Sequence, residues 1–413
     1  MSLEHSPHLI ESSASAPSAH TARIQAAIDT AHASGGGTVV LGPGVHVCGS
    51  ITLKSGVELH LAHGSRLLAA DDSSLFPTFE GHDPKLTANK AFGALLQARG
   101  ACDIAITGSG TVDGGGAWEE APDWFSAQSI FRPSMAYFEG CSGVRIESVS
   151  FVGAKWWCLH LRRCEQVRLH GLRMRHNWPN SDGIDPDGCR NVIISDCDLT
   201  CGDDCIVAKS TQGDDCENIV VTNCVLTTPC AAFKLGTESK GAFRNITVSN
   251  CVLRGDVGFA LYMKDGGCME NIQGSQLLFD TSSAYPILID AMPRDYASGK
   301  AAGTIRNVRL GGCSVRGPGR AWIEGPPEGT VENIRLHDID WVLTASLPES
   351  PPAKPLGSAR VRLDPDRPAY ETQRAQVIAV HVRGLRLDNW SVNGADAAER
   401  ALLWSNTPQK IPG

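Results

Sequence analysis

The stretch Cys189-Arg190-Asn191-Val192-Ile193-Ile194-Ser195-Asp196-Cys197 returns almost unchanged from Cys216 to Cys224, and again from Arg244 to Cys251. Weaker copies sit at Asn271, Asn307 and Asn333, and upstream ones at Gly143 and Gln166. Counted from the Asn, successive copies from Asn191 to Asn333 lie 27, 27, 26, 36 and 26 residues apart. A period in the twenties with one short Val/Ile/Thr strand per copy signals a solenoid, because a single copy cannot bury its apolar face and must stack on its neighbours. Leucine-rich repeats are the competing architecture, but their Leu-dominated consensus is absent. The pattern predicts an all-β chain, a single-stranded parallel β-helix.

In such a coil equivalent residues stack about 4.8 Å apart on successive rungs and alternate inward and outward along each strand. That accounts for most of the 15 cysteines. Cys141, Cys164, Cys189 and Cys216 lie two residues before the Asn-equivalent position, and Cys197, Cys224, Cys251 and Cys313 lie six after it. Two ladders of small buried thiols are expected, in preference to disulfides or metal ligands. The asparagines themselves read as stacked turn amides. The ends of a β-helix expose raw core. Ile24, Ala27, Ile28 and Ala31 form an i, i+3, i+4, i+7 stripe before the Gly35-Gly36-Gly37 break, which predicts a capping helix over 21–34. The chain therefore divides into a tail and capping helix (1–40), a β-helix (41–395) and a C-terminal tail (396–413), with a Pro-rich loop at 346–355.

Net charge is −8 and no Lys/Arg run is present, which argues against a nucleic-acid partner. No stretch of about 18 apolar residues exists, so no membrane span is expected. The polar segment from Met1 to His20 lacks the apolar core of a secretory signal, so a cytoplasmic location is expected. Nothing in the sequence names an oligomeric interface.

Aligning the coils places Trp157 beside Asp182 and Asp182 beside Asp204 in one column, with Asp203 adjoining and Gly202 supplying the freedom for a bend. Clustered carboxylates repel, so one is expected to hold its proton near neutrality while others stay ionised. That division is what glycoside hydrolysis by inversion needs: an acid for the leaving oxygen and a base for water. A Ca²⁺ site or solvated turns are the alternative reading of the same acids. Trp118, Trp124, Trp156 and Trp157 are candidates to stack on sugar rings, or else to pack at the coil edge, and His160 is either a substrate contact or an inward, satisfied ring.

At these residues the sequence resembles glycoside hydrolase family 28, the polygalacturonase-like enzymes built on a right-handed parallel β-helix of the pectin lyase-like kind. The resemblance runs from Ile24-Gln25-Ala26-Ala27-Ile28-Asp29 through Gly110-Thr111-Val112-Asp113-Gly114 and Trp156-Trp157-Cys158-Leu159-His160. Its specific motifs are Asn180-Ser181-Asp182-Gly183-Ile184-Asp185 and Gly202-Asp203-Asp204-Cys205, similar to the family's Asn-Thr-Asp-Gly and Gly-Asp-Asp elements. The resemblance implies Asp203 as general acid, with Asp182 and Asp204 activating water. Gly236-Thr237-Glu238-Ser239 is similar to a stretch typical of exo-acting members. Two departures stand out. Cys230-Ala231-Ala232 replaces a Gly-His-Gly element, and Gly258 to Lys264 contains no Arg where the family grips a uronate carboxylate, leaving Lys264, or Lys234 one rung earlier, as cations. The implied function is an inverting exo-type glycosidase acting on pectin-derived or related plant oligosaccharides, galacturonide or rhamnogalacturonan-like, with no cofactor and no metal. Its expected substrate contacts are Trp157, His160, Asn180, Lys234, Glu238 and Lys264. The alternatives are a β-helix lyase or glycosyl-transferring enzyme, and a non-catalytic carbohydrate-binding β-helix.

Overall fold

The asparagine that marks each repeat holds a left-handed backbone. φ is 55° at Asn191, 57° at Asn218, 56° at Asn245, 57° at Asn271, 56° at Asn307 and 54° at Asn333. Asn tolerates that region better than other residues with a Cβ, and the upstream equivalents are Gly143 (φ 65°) and Gln166 (φ 56°). Each of these residues lies in the first half of its strand, Asn191 in Arg190–Ser195 and Asn218 in Cys216–Thr222, and bends the chain there into a corner, so the repeat marks a backbone requirement. The amides also join: Asn245 donates to Asn218 at 3.1 Å, Asn271 to Asn245 at 3.2 Å, and Asn307 to Asn271 at 3.3 Å.

The computed structural model describes residues 7–13, 15–77, 93–116, 120–127, 129–281, 285–294, 302–327, 329–346, 370 and 372–406. It divides into two units, Met1–Cys205 and Ile206–Gly413. In the first, Ser142–Glu147, Glu165–His170 and Arg190–Ser195 pair in parallel, placing Val144, Val167 and Val192 in one column and Ile146, Leu169 and Ile194 in another. A second face stacks Ser134–Glu139, Leu159–Arg162 and Ile184–Asp187, with Ala136 opposite Leu159 and Leu159 opposite Ile184. A third stacks Thr111–Asp113, Ser150–Val152, Arg173–Arg175 and Asp198–Thr200. Three short faces per coil, each apolar inward, close a parallel β-helix around one buried column of side chains.

The N-terminal helix spans Pro17–Ala33, four residues longer at its start than the apolar stripe indicated, because Pro is compatible with the first helical turn. Its buried residues are His20, Ile24, Ile28 and Ala31, lying against Gly37–Leu41 and Gly44–Cys48. His20 meets His46 through ring nitrogens 3.0 Å apart, a buried polar contact the apolar count could not register.

In the second unit Cys216–Thr222, Ala242–Ser249, Cys268–Ser275, Thr304–Arg316 and Val331–Leu343 align Ile219, Ile246, Ile272, Val308 and Ile334. Phe233 and Phe259 stack inside it with ring centroids 5.3 Å apart. Ala401–Ser405, within the segment set apart as a C-terminal tail, forms a strand paired to Ala375–Val380. Most of the Pro-rich loop expected at 346–355 lies outside the described residues. All 15 cysteines are free, and the eight ladder members are buried, so they pack as small hydrophobes. No helix among the described residues is long and apolar enough to cross a membrane.

Candidate active site

Backbone hydrogen bonds fix the column that carries the acids. Cys158 N–H donates to the Asp182 carbonyl at 2.9 Å, and Gly183 N–H to that of Asp204 at 2.9 Å, so Trp157, Asp182 and Asp204 occupy one position on successive coils. One oxygen from each of Asp182, Asp203 and Asp204 lies within 4.8 Å of the others. Asp182 and Asp204 are buried and Asp203 half-buried, which makes Asp203 the carboxylate most open to a ligand. Three oxygens this close also suit a divalent cation, so the geometry alone admits both readings.

Two glycines permit the convergence. A Cβ on Gly202 would stand 2.3 Å from the Trp178 carbonyl oxygen and 2.4 Å from the Asn177 carbonyl carbon. One on Gly183 would meet the Cys205 carbonyl oxygen at 2.5 Å. Ser181 Oγ ties the two acid-bearing turns together, donating to the Trp178 carbonyl at 2.6 Å and accepting from Gly202 N–H at 3.2 Å. Asn180, with φ 60°, takes a hydrogen bond from Arg132 at 3.3 Å, and the same guanidinium donates to the Pro179 carbonyl at 2.9 Å. Arg132 also lies 4.4 Å over the Trp156 ring, and burial pulls its pKa down to about 10.

Trp157 is buried, stacked on Trp156 at 5.8 Å and edge-on to His160 at 5.0 Å. His160 is covered as well, its Nε2 3.2 Å from Asp187 and its ring against Tyr137. The inward alternative describes His160 here, and the structure offers no exposed imidazole for a sugar at that position. Trp124 and Phe125 are exposed, the latter 82%, with their rings 5.4 Å apart. Trp118 lies outside the described residues.

The remaining candidates belong to the second unit. Glu238 accepts from Arg294 at 2.9 Å and lies 3.7 Å from Lys209. Burial pushes its pKa up, but Lys209 and Arg294 together outweigh that and hold it at about 2. Lys234 sits 5.3 Å over the Tyr262 ring. Lys264 is not placed to meet a substrate: its ammonium is buried 2.5 Å from Asp290. The stretch from Gly258 to Lys264 holds no Arg, and the guanidinium comes instead from Arg294 one coil later, which closes on both Glu238 and Asp265. Since Tyr262 pairs with Asp290, extending the column by one rung is the signal that finds it.

These features define a single-stranded, right-handed parallel β-helix of the pectin lyase-like kind, with a carboxylate cluster where adjacent coils turn. The chain belongs to Glycosyl hydrolases family 28, whose sequence profile matches residues 72–317. It is 29% identical over 187 residues to a probable polygalacturonase of Vitis vinifera, a match covering 43% of this chain and 37% of that one. The chain thus spans well under half of the length of this curated relative. Among solved structures it is similar to an exopolygalacturonase from Thermotoga maritima (TM-score 0.64, 23% identity, 78% of this chain and 82% of that one). It is also similar to the polygalacturonase of Erwinia carotovora (TM-score 0.61, 18% identity, 96% and 98%). Both likenesses are of fold.

Proposed function

We propose that the chain is a glycoside hydrolase that cleaves pectin-derived or related plant oligosaccharides, acting from a chain end with inversion at the anomeric carbon. The observation that carries this reading is the convergence of Asp182, Asp203 and Asp204 within 4.8 Å, inside the stretch matched by the family. Asp203, the half-buried member, donates a proton to the leaving oxygen, while Asp182 and Asp204 hold the attacking water and take its proton. No cofactor enters this chemistry. The polygalacturonase and exopolygalacturonase names of the relatives support the substrate class and the exo reading. The test is to incubate the protein, beside Asp203→Asn, with oligogalacturonides, rhamnogalacturonan fragments and neutral plant oligosaccharides, following products by NMR. A released monosaccharide of inverted configuration, absent with Asp203→Asn, is the expected result. A retained anomer overturns the inversion. Unsaturated, ultraviolet-absorbing products that vanish with EDTA would mean a metal-dependent lyase.

A further inference from the structure

We propose that Lys155 binds the carboxylate of a uronic-acid unit of the saccharide, one coil before Asp182, and so sets the specificity of this site for an acidic glycan; this rests on the hydrolase reading above. Val152 pairs with Asp113 and with Arg175, and Arg175 pairs with Thr200. Three residues beyond each strand stand Gly116, Lys155, Trp178 and Asp203, which places them in one column of turns. Contacts confirm the stacking. Lys155 Nζ lies 5.6 Å from the centre of the Trp178 indole, and the Trp178 carbonyl abuts Gly202, the residue before Asp203. Two rungs separate Lys155 from Asp203, about 10 Å, roughly the distance to a neighbouring sugar unit rather than the reacting one.

Several observations mark this ammonium as a recognition group. Lys155 is half-buried, and among the described residues its Nζ meets no carboxylate and has only the indole face. A cation laid over Trp is held in place without being neutralised. On the coil before it, Gly114, Gly115 and Gly116 present no side chain, and a Cβ at Gly115 would already stand 3.9 Å from Nζ. Those glycines are also forced by backbone, since a Cβ on Gly114 or Gly116 would lie 2.5 or 2.6 Å from the Gly153 carbonyl oxygen. Nearby Arg132 adds positive potential, but its guanidinium is committed to Pro179, Asn180 and the Trp156 face. Lys264, expected from the sequence to meet a uronate, is locked on Asp290. Lys155 thus supplies, from a different coil, a charge-assisted contact of the kind a sugar carboxylate needs.

The test compares Lys155→Met, which keeps the stem and removes the charge, with Lys155→Arg, on trigalacturonate and on its methyl ester. The expected result is a KM about tenfold higher for Lys155→Met on the free acid, a smaller change on the ester, and substantial rescue by Lys155→Arg. Equal effects on acid and ester would assign Lys155 a structural role and overturn the proposal. Calorimetric titration of Asp203→Asn with trigalacturonate, with and without Lys155→Met, reads the same contact without turnover. Charge-dependent weakening supports the proposal even if the hydrolase reading fails. Absence of trigalacturonate binding overturns it, even if a neutral glycan is hydrolysed.

Discussion

His176 makes a quantitative test of how the coil interior handles charge. The ring is 1% exposed, and neither nitrogen has a well-formed hydrogen-bond partner. Burial drives its pKa from the ordinary 6.5 to about 3, a backbone contact with Arg175 opposing only weakly. The sign follows from linkage. Above pH 6.5 the ring is neutral both folded and unfolded, and contributes no pH dependence. Below that the unfolded chain takes up a proton the folded chain refuses, so stability is lost as pH falls, until the native ring itself titrates near 3. The slope approaches about 1.4 kcal/mol per pH unit, and integrates to about 2.7 kcal/mol between pH 7.5 and 4.5. With 413 residues unfolding at roughly 2.1 cal/mol/K each, that loss corresponds to a fall of about 3 °C in the midpoint. The assay is differential scanning fluorimetry of the protein and of His176→Leu from pH 7.5 to 4.5. The variant should be at least as stable at pH 7.5 and lose about 3 °C less on acidification. Parallel curves for the two proteins would refute the argument, because they would mean that His176 is protonated, or hydrated, inside the folded coil.

Other substitutions probe the remaining links. Gly202→Ala should leave the circular dichroism of the coils intact yet cut turnover at least about 100-fold, because its Cβ collides with the Trp178 carbonyl and displaces Asp203; wild-type rates would refute the close approach. Asn245→Ala should lower stability by about 1–2 kcal/mol, against a smaller loss for Asn245→Gly, since Gly accepts the left-handed corner and forfeits only the amide ladder. Reversal of that order in thermal melts would sink the conformational account. Lys264→Met strands Asp290 in the interior and should cost about 3–5 kcal/mol, with partial recovery when Asp290→Leu is added; no recovery would show that the pair is not the source of the loss.

The coil was readable from the sequence because its cause is local. Each corner demands a left-handed residue and each inward position a small or branched apolar one, so the same letters recur wherever the backbone repeats. The acid column was legible through the same repeat, since Trp157, Asp182 and Asp204 follow Gly143, Gln166 and Asn191 by 14, 16 and 13 residues and align once turn length is allowed for. Legibility ended where contacts depend on how far a side chain reaches to the neighbouring coil. His160 and Lys264 have residue types that suit substrate contact, yet their burial against Asp187 and Asp290 becomes visible only when the neighbouring coil is in place. Arg132, Lys155, Trp178 and Arg294 carry no motif of their own. Their roles come from turns that stack across rungs, which a linear pattern records only as spacing. The extra turn of helix from Pro17 followed the same limit, since its buried member is a histidine rather than an apolar residue.

The step from Asn271 to Asn307 is 36 residues where its neighbours are 26, and still the amide of Asn307 reaches Asn271 at 3.3 Å. About ten additional residues have been admitted between two corners without moving either corner. Because loop-closure entropy grows only slowly with length, such additions disturb stability little. The scaffold thereby uncouples the ruler that spaces its rungs from the segments that hang between them. Chain can be added in an interval of this unit while the asparagine corners on either side of it keep their pairing.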